Sequence, residues 1–224
     1  MRESYDFVEI GTSDFDTLIQ VATDSTKGIS VEPHKVYLDR LPTKAKVNKV
    51  NAALVTEKQF KKCSETKLYY VDEKDIAEFN LGQWLKGCNS IGEPHEFHIN
   101  WYPAPGFWKS SSNQAELETI NLLEKGLVQV QTVRCVTFGM LAEEFNIGQI
   151  DLLKTDTEGL DATLLRSILR FYIRNDLKEL LPKRILFEAY THRNIRQVKG
   201  IKSILRGLGY KLKDLGSDCF AVRN

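Results

Sequence analysis

The sequence predicts an α/β fold with a mostly parallel β-sheet that ends in an antiparallel β-hairpin. Strands alternate with helical stretches along most of the 224 residues, which is typical of a parallel sheet covered by helices on both faces. The last two strands flank the turn Gly216-Ser217 and read as a hairpin. The length suits one α/β domain with a full core, so we expect a single domain over residues 1–224.

The first 55 residues read as three strands and two helices. An apolar strand over residues 5–10 leads to Gly11. Ser13 and Asp16 then match a capping box, which predicts that a helix begins there. The elements that follow are a strand at 28–31, a helix at 36–41 and a strand at 47–55.

Periodicity weakens between about residues 56 and 112, and we interpret this stretch as an insertion into the domain. It holds all three tryptophans, Trp84, Trp101 and Trp108, together with Tyr102. Regular elements resume after it. They are helices at 113–125, 137–146, 160–171 and 198–208, and strands at 128–136, 150–154, 184–188, 210–215 and 219–223.

Composition narrows the range of partners and compartments. Lys and Arg number 31 against 30 for Asp and Glu, so charge gives no reason to expect nucleic acid as a partner. No apolar run approaches the ~20 residues of a membrane span, and the charged N-terminus lacks a signal peptide's apolar core. Four widely spaced cysteines argue against a zinc knuckle or a disulfide framework. We expect a cytoplasmic protein, and the early first strand also fits a domain of a longer chain.

In an open α/β sheet, ligands bind beyond the carboxyl ends of the strands, near the point where the strand order switches. The first such position is Glu9-Ile-Gly-Thr-Ser13, whose single glycine does not make the Gly-x-Gly-x-x-Gly turn of dinucleotide sites. S-adenosylmethionine carries no phosphate, so this turn suits it. We expect Gly11, Thr12 and Ser13 to approach its amino-acid part, with Glu9 holding its charged end. An ordinary strand-to-helix turn is the alternative.

Two further strand ends complete the predicted cofactor site. Glu32, roughly 20 residues beyond the first turn, is placed to accept hydrogen bonds from both hydroxyls of a ribose. Pro33 fixes its turn, and Asn51 and Ala52 would line an adenine pocket. A solvated charge at a strand end is the alternative for Glu32.

The fourth strand end, Lys154-Thr-Asp-Thr-Glu-Gly159, carries two carboxylates. Asp156, with Glu158 beside it, would face the cofactor's sulfonium and the acceptor hydroxyl as a general base or as a metal ligand. Capping of the following helix is the alternative reading. We expect Lys154, on a central strand, to pair with a carboxylate.

These segments resemble the FkbM-type family of S-adenosylmethionine-dependent methyltransferases. The matching segments are Phe7–Gly11, Val31–Pro33, Asn51–Ala53, the hallmark Ile150–Gly159, and Ile185–Glu188. The resemblance covers about residues 5–55 and 130–224. It implies the Rossmann-like class I methyltransferase fold, S-adenosylmethionine as cofactor, and a hydroxyl acceptor such as that of a sugar or a glycosylated product.

Methyl transfer to a hydroxyl needs an in-line geometry and a group that takes the hydroxyl proton. Asp156 is the first candidate for that group, and His192 is the second. Asp156 and Glu188 end neighbouring strands and would share Mg²⁺ or Mn²⁺, which prefer oxygen ligands. The sequence leaves the base and metal-assisted mechanisms open.

The aromatic residues of the insertion predict where a small-molecule or glycan acceptor binds, because aromatic rings bury the apolar faces of sugars. These residues are Trp84, Trp101, Tyr102 and Trp108. The alternative is that the rings form the insertion's own core. Two other functions stand beside the methyltransferase: a nicotinamide-dependent oxidoreductase, which shares the ribose carboxylate, and a non-catalytic interaction module that keeps the fold.

Overall fold

A computed structural model describes residues 2–99, 121–189 and 195–223. The strands are β1 (Glu3–Ile10), β2 (Gly28–Val31), β3 (Val47–Val50), β4 (Ala53–Leu54), β5 (Glu65–Val71), β6 (Ser90–Ile91), β7 (Val128–Val136), β8 (Ile147–Thr155), β9 (Arg184–Glu188), β10 (Tyr210–Leu215) and β11 (Asp218–Arg223). The α-helices are α1 (Leu18–Val21), α2 (Lys35–Arg40), α3 (Glu57–Phe60), α4 (Glu73–Glu78), α5 (Glu96–Ile99), α6 (Phe138–Glu144), α7 (Asp161–Arg174) and α8 (Ile195–Gly207). The protein is therefore a mixed α/β structure.

The chain divides into two compact units. Unit 1 comprises Met1–Glu65 and Arg134–Asn224, and unit 2 comprises Thr66–Val133. The insertion predicted at about residues 56–112 overlaps unit 2 in the sequence.

Unit 1 is built on a seven-stranded sheet in the order β3-β2-β1-β8-β9-β11-β10. The five strands from β3 to β9 in this order run parallel, whereas β11 runs antiparallel to both of its neighbours. The predicted parallel sheet with a C-terminal hairpin is thus confirmed. The strand order switches between β1 and β8, and such a switch opens a crevice at the carboxyl ends of the two strands.

Apolar periodicity decides which face each element of unit 1 buries. Val8 of β1 packs into the main core with Leu165 and Ile168 of α7, and α6 and α8 contribute to the same cluster. Phe7 points the other way, as the two-residue period of a strand requires, and meets Ile19 of α1 in a smaller cluster. Full burial of such side chains stabilises by roughly 1.5–3 kcal/mol each, so both faces of the sheet are held mainly by apolar packing.

Unit 2 has its own small core. β5 pairs with β6 in antiparallel fashion, and Val71, Ile76, Leu85 and Leu122 form a buried apolar cluster. Across residues 2–99, 121–189 and 195–223, no helix has the length and apolar character needed to cross a membrane. The four cysteines, all within these segments, are free thiols.

The predicted helix start at Ser13 is wrong. Ser13 and Asp16 both adopt left-handed backbone conformations, with φ of 50° and 53°, so the chain forms a tight turn. The helix begins only after the N-cap Thr17. The Ser13 backbone N–H donates instead to Glu32, a contact between distant residues that a local capping pattern does not reveal.

Two other predicted elements also differ. The predicted strand at 47–55 divides, because β3 ends at Val50 and Ala53 of β4 pairs with Cys135 of β7. The predicted helix at 113–125 lies mostly outside the described residues, and its described end, from Asn121, consists of turns.

Candidate active site

The predicted strand ends lie in one row along the edge of the unit 1 sheet. Ile10 of β1 is in register with Val31 of β2 and Thr155 of β8, and the register continues to Val50 of β3 and Phe187 of β9. The next residue on each strand forms what we call the strand-end row: Asn51, Glu32, Gly11, Asp156 and Glu188. The row crosses the switch between β1 and β8, where open α/β sheets bind ligands.

Glu32 is a buried carboxylate, 4% exposed, held by backbone N–H groups. Ser13 N donates to its Oε2 at 2.9 Å and His34 N to its Oε1 at 2.8 Å. Asn51 Nδ2 donates to the carbonyls of Glu32 and Pro33, at 2.9 Å each. Burial raises the pKa of Glu32 to about 7, and the N–H bonds oppose that rise. Each carboxylate oxygen can accept further hydrogen bonds, so the fixed group is suited to hydroxyl donors of a ligand.

Glu9 contacts the start of α1, directly after the same turn. It is 0% exposed, and its Oε1 forms an ion pair with Lys154 Nζ at 3.0 Å. Its Oε2 accepts the Leu18 N–H at 2.9 Å, while Lys154 Nζ also donates to the Asp16 carbonyl at 2.7 Å. Burial raises the pKa of Glu9, and Lys154 opposes the rise. The expected pairing of Lys154 with a carboxylate is confirmed, and Glu9 also contacts the backbone at the start of α1.

Gly11 allows β1 and β8 to approach each other closely. Its φ is +78°, and a Cβ at this position would collide with the Asp156 carbonyl. The Asp156 N–H donates to the Ile10 carbonyl at 2.9 Å, and the Gly11 N–H donates to the Val31 carbonyl at 2.9 Å. The absence of a side chain at Gly11 therefore lets the end of β1 lie directly against the backbone of Asp156.

Four acidic residues on the β8 and β9 side of the row form what we call the carboxylate group: Asp156, Glu158, Asp161 and Glu188. Surrounding protein desolvates the Asp156 carboxyl and, with Glu158 and Asp161 nearby, raises its pKa to about 7. The same causes, burial first and then the other three acids, raise the pKa of Glu188 to about 9. The Asp156 side chain nevertheless presents accessible surface. A cation bound here would relieve the mutual repulsion and favour the ionised carboxylates.

Asp161 is a member of this group that the sequence analysis missed. Its side chain is buried, and its Oδ2 accepts the Thr157 N–H at 3.2 Å. Burial raises the pKa of Asp161. An acidic residue in the first turn of α7 is the only signal in the sequence, and capping of the helix explains that signal equally well.

Other predicted site residues have different surroundings. Thr12 is buried and its hydroxyl donates to the Ser13 carbonyl at 3.1 Å. Ala52 lies in the main core of unit 1, so its side chain packs against protein. Trp84 packs edge to face on Phe97, with ring centroids 4.8 Å apart, against the core of unit 2. Trp101, Tyr102, Trp108 and His192 lie outside the described residues.

The geometry therefore consists of a tight turn after β1, a buried carboxylate after β2 and an acidic group at the carboxyl ends of β8 and β9. The sequence profile of the methyltransferase FkbM domain matches residues 9–212, a span that includes the whole strand-end row. The chain belongs to this family. The match confirms the family resemblance of the sequence and supports methyl transfer as the general activity of this FkbM-family chain. A comparison with curated proteins gives no match.

Proposed function

We propose that this FkbM-family chain is an S-adenosylmethionine-dependent O-methyltransferase that acts on a hydroxyl of a sugar or glycan. The observation that supports this most is the acidity of the strand-end row, three of whose five positions are Glu32, Asp156 and Glu188. The neighbouring cation Lys154 is already engaged by Glu9. Opposite charges attract across such a partly buried site, so the row suits a cofactor that bears a sulfonium and an ammonium group.

The same acidity argues against the nicotinamide-dependent oxidoreductase. A dinucleotide would bring a doubly charged pyrophosphate to the turn after β1, where helix N-termini and crowded glycines normally receive it. Here α1 has only four residues, Leu18–Val21, and the turn carries Ser13 and Asp16 where those glycines would stand. Fluorescence titration with reduced nicotinamide dinucleotide is expected to show no binding, and saturable binding would support the oxidoreductase.

We assign the cofactor's parts to the row by their chemistry. Glu32 is the acceptor for the ribose hydroxyls, because it is fixed by two backbone N–H groups and keeps free lone pairs. The turn at Gly11–Ser13 lies beside the amino-acid part. The strand order of the sheet and its C-terminal hairpin also support the Rossmann-like class I methyltransferase fold.

S-adenosylmethionine supplies an activated methyl group, so the protein has to align the acceptor and take one proton. Asp156 is placed for the proton, because it lies at the switch point and presents accessible surface. A general base works best when its pKa is near the operating pH, and the pKa of about 7 for Asp156 meets that condition. Burial, with Glu158 and Asp161 nearby, keeps the pKa of this carboxyl above its usual range.

A metal-assisted version of the same reaction uses the same residues. Asp156 and Glu188 come directly after Thr155 and Phe187, which pair in the register of β8 and β9. Among the described residues, Glu188 Oε2 is buried without a hydrogen-bond partner. Oxygen ligands of this kind suit Mg²⁺ or Mn²⁺, which would polarise the acceptor hydroxyl. Calorimetric titration with Mn²⁺ separates the versions: binding that is lost in both Asp156→Asn and Glu188→Gln supports the metal, and no binding supports the simple base.

Transfer of a radiolabelled methyl group from S-adenosylmethionine to a panel of hydroxylated sugars tests the proposed activity. Asp156→Asn is expected to slow transfer by roughly 10²–10⁴-fold, the usual contribution of a general base, while S-adenosylhomocysteine still binds. Glu143→Gln, at an exposed position of α6, is the matched control and should leave transfer unchanged. If the wild-type chain bound neither S-adenosylmethionine nor S-adenosylhomocysteine, the interaction-module alternative would take precedence.

A further inference from the structure

We propose that Lys154 is a positioning residue that fixes the conformation of the cofactor turn, residues 11–17, from the neighbouring strand β8. The turn would contact the S-adenosylmethionine of the proposed function, so the expected effect of Lys154 on cofactor binding rests on that proposal. The effect on the turn itself does not depend on it.

The contacts of Lys154 reach the turn by two routes. Nζ donates directly to the Asp16 carbonyl at 2.7 Å. Nζ also pairs with Glu9 Oε1 at 3.0 Å, and the other oxygen of Glu9 accepts the Leu18 N–H at 2.9 Å. Lys154 and Glu9 lie opposite each other in the β1–β8 register. One ammonium group therefore holds both the end of the turn and the start of α1.

The turn needs such support because of its backbone. Ser13 and Asp16 have φ of 50° and 53°, a region that residues other than glycine seldom adopt. Conformations of this kind persist when surrounding contacts over-determine them. Glu32 holds the Ser13 side of the turn, and Lys154 with Glu9 holds the Asp16 side. Without Lys154 one side of the turn loses its charged support.

Burial strengthens the attraction between Lys154 and Glu9. The side chain of Lys154 is 13% exposed and that of Glu9 is 0% exposed, so water and salt screen their attraction only weakly. Removal of one partner from a buried pair leaves an uncompensated buried charge, which destabilises the local structure. Lys154 also stands two residues before Asp156 on the same strand end, so the turn is tied to the strand that carries the proposed base.

A purely stabilising ion pair is the alternative, and an ion pair elsewhere in unit 1 serves as the control for it. Lys202 of α8 pairs with Asp214 at 2.6 Å, and its side chain is 19% exposed. Lys202→Met removes an ion pair from another part of unit 1, one whose acidic partner Asp214 is 69% exposed. It should alter thermal stability alone, without affecting exchange in the turn or ligand affinity.

The experiment combines hydrogen exchange of the peptide spanning residues 11–18 with calorimetric binding of S-adenosylhomocysteine at 10 °C. Lys154→Met should speed amide exchange in this peptide at least about tenfold and weaken binding about tenfold, as expected when roughly a tenth of the molecules hold the competent turn. Lys154→Arg should restore most of both signals, because its guanidinium can donate to both acceptors. Lys202→Met should match the wild type in both.

The outcomes separate this proposal from the proposed function. Unchanged exchange and unchanged affinity in Lys154→Met would overturn the positioning role. Faster exchange in that variant, combined with no binding by the wild type, would support the positioning of the turn and reject the cofactor assignment. If Lys154→Met does not fold, Glu9→Gln/Lys154→Met removes both charges and avoids the unpaired buried carboxylate. Wild-type amide exchange in the 11–18 peptide, together with wild-type affinity, in that double variant would equally overturn the proposal.

Discussion

Replacement of Gly11 by alanine tests how closely β1 and β8 approach each other at the strand-end row. Two costs follow from the structure. The φ of +78° strains any residue with a Cβ by roughly 1–2 kcal/mol. The new Cβ would also collide with the Asp156 carbonyl, and backbone shifts forced by such overpacking cost roughly 1–3 kcal/mol.

Gly216→Ala isolates the first cost. Gly216 has a similar φ of +73°, and among the described residues no atom lies within 4 Å of a Cβ built there. A change of 1 kcal/mol moves the melting temperature of a chain of this size by roughly 2–4 °C. We therefore expect Gly11→Ala to lower the melting temperature by roughly 4–20 °C, and Gly216→Ala by roughly 2–8 °C.

Differential scanning calorimetry of the two variants measures the difference directly. Because the new Cβ in Gly11→Ala must also displace Asp156, the affinity of this variant for S-adenosylhomocysteine should fall. Gly216→Ala should bind like the wild type. Equal losses of stability in the two variants would show that the ends of β1 and β8 do not meet as described, and would refute the reasoning.

Two further predictions concern β9. The pKa of Glu188 is raised to about 9 and that of Asp156 to about 7. Their contribution to stability is therefore full below the unfolded pKa values of about 4 and is lost as the pH rises from there to about 7 for Asp156 and about 9 for Glu188. The melting temperature of the ligand-free protein should therefore fall across that range, and Glu188→Gln should flatten the dependence; an unaltered slope would contradict the assignment. Phe187→Ala removes a fully buried ring from the main core and should lower the free energy of unfolding by about 3–5 kcal/mol, as measured by urea denaturation; a loss under about 1 kcal/mol would mean that β9 is not central to the sheet.

The sequence could predict the strand-end row because two general rules suffice for it. Parallel strands bring their carboxyl ends to one edge, and ligands bind at the switch in strand order. Glu32 and Asp156 were therefore identifiable as members of one row, on either side of Gly11. The hairpin around Gly216 was equally visible, since its alternation and turn residues are local signals.

The parts that could not be predicted depend on contacts between distant residues. Ser13 and Asp16 fit a local capping box, but a hydrogen bond from Ser13 N to Glu32 and one from Lys154 Nζ to the Asp16 carbonyl hold them in a turn instead. Asp161 was missed because its proximity to Glu188 brings together residues that are distant in the sequence. The division of the predicted strand at 47–55 also depends on such a contact, because Ala53 of β4 pairs with the distant Cys135 of β7.

Calorimetric titration of S-adenosylhomocysteine into the wild type, Glu32→Gln and the control Glu143→Gln tests the central claim most directly. The wild type and the control should bind one equivalent with the same affinity. Glu32→Gln keeps the shape of the side chain but loses a charged acceptor, a loss of roughly 1.5–3 kcal/mol that corresponds to about 10- to 150-fold weaker binding. Equal affinity in all three proteins, or no binding by the wild type, would contradict a cofactor site at the strand-end row.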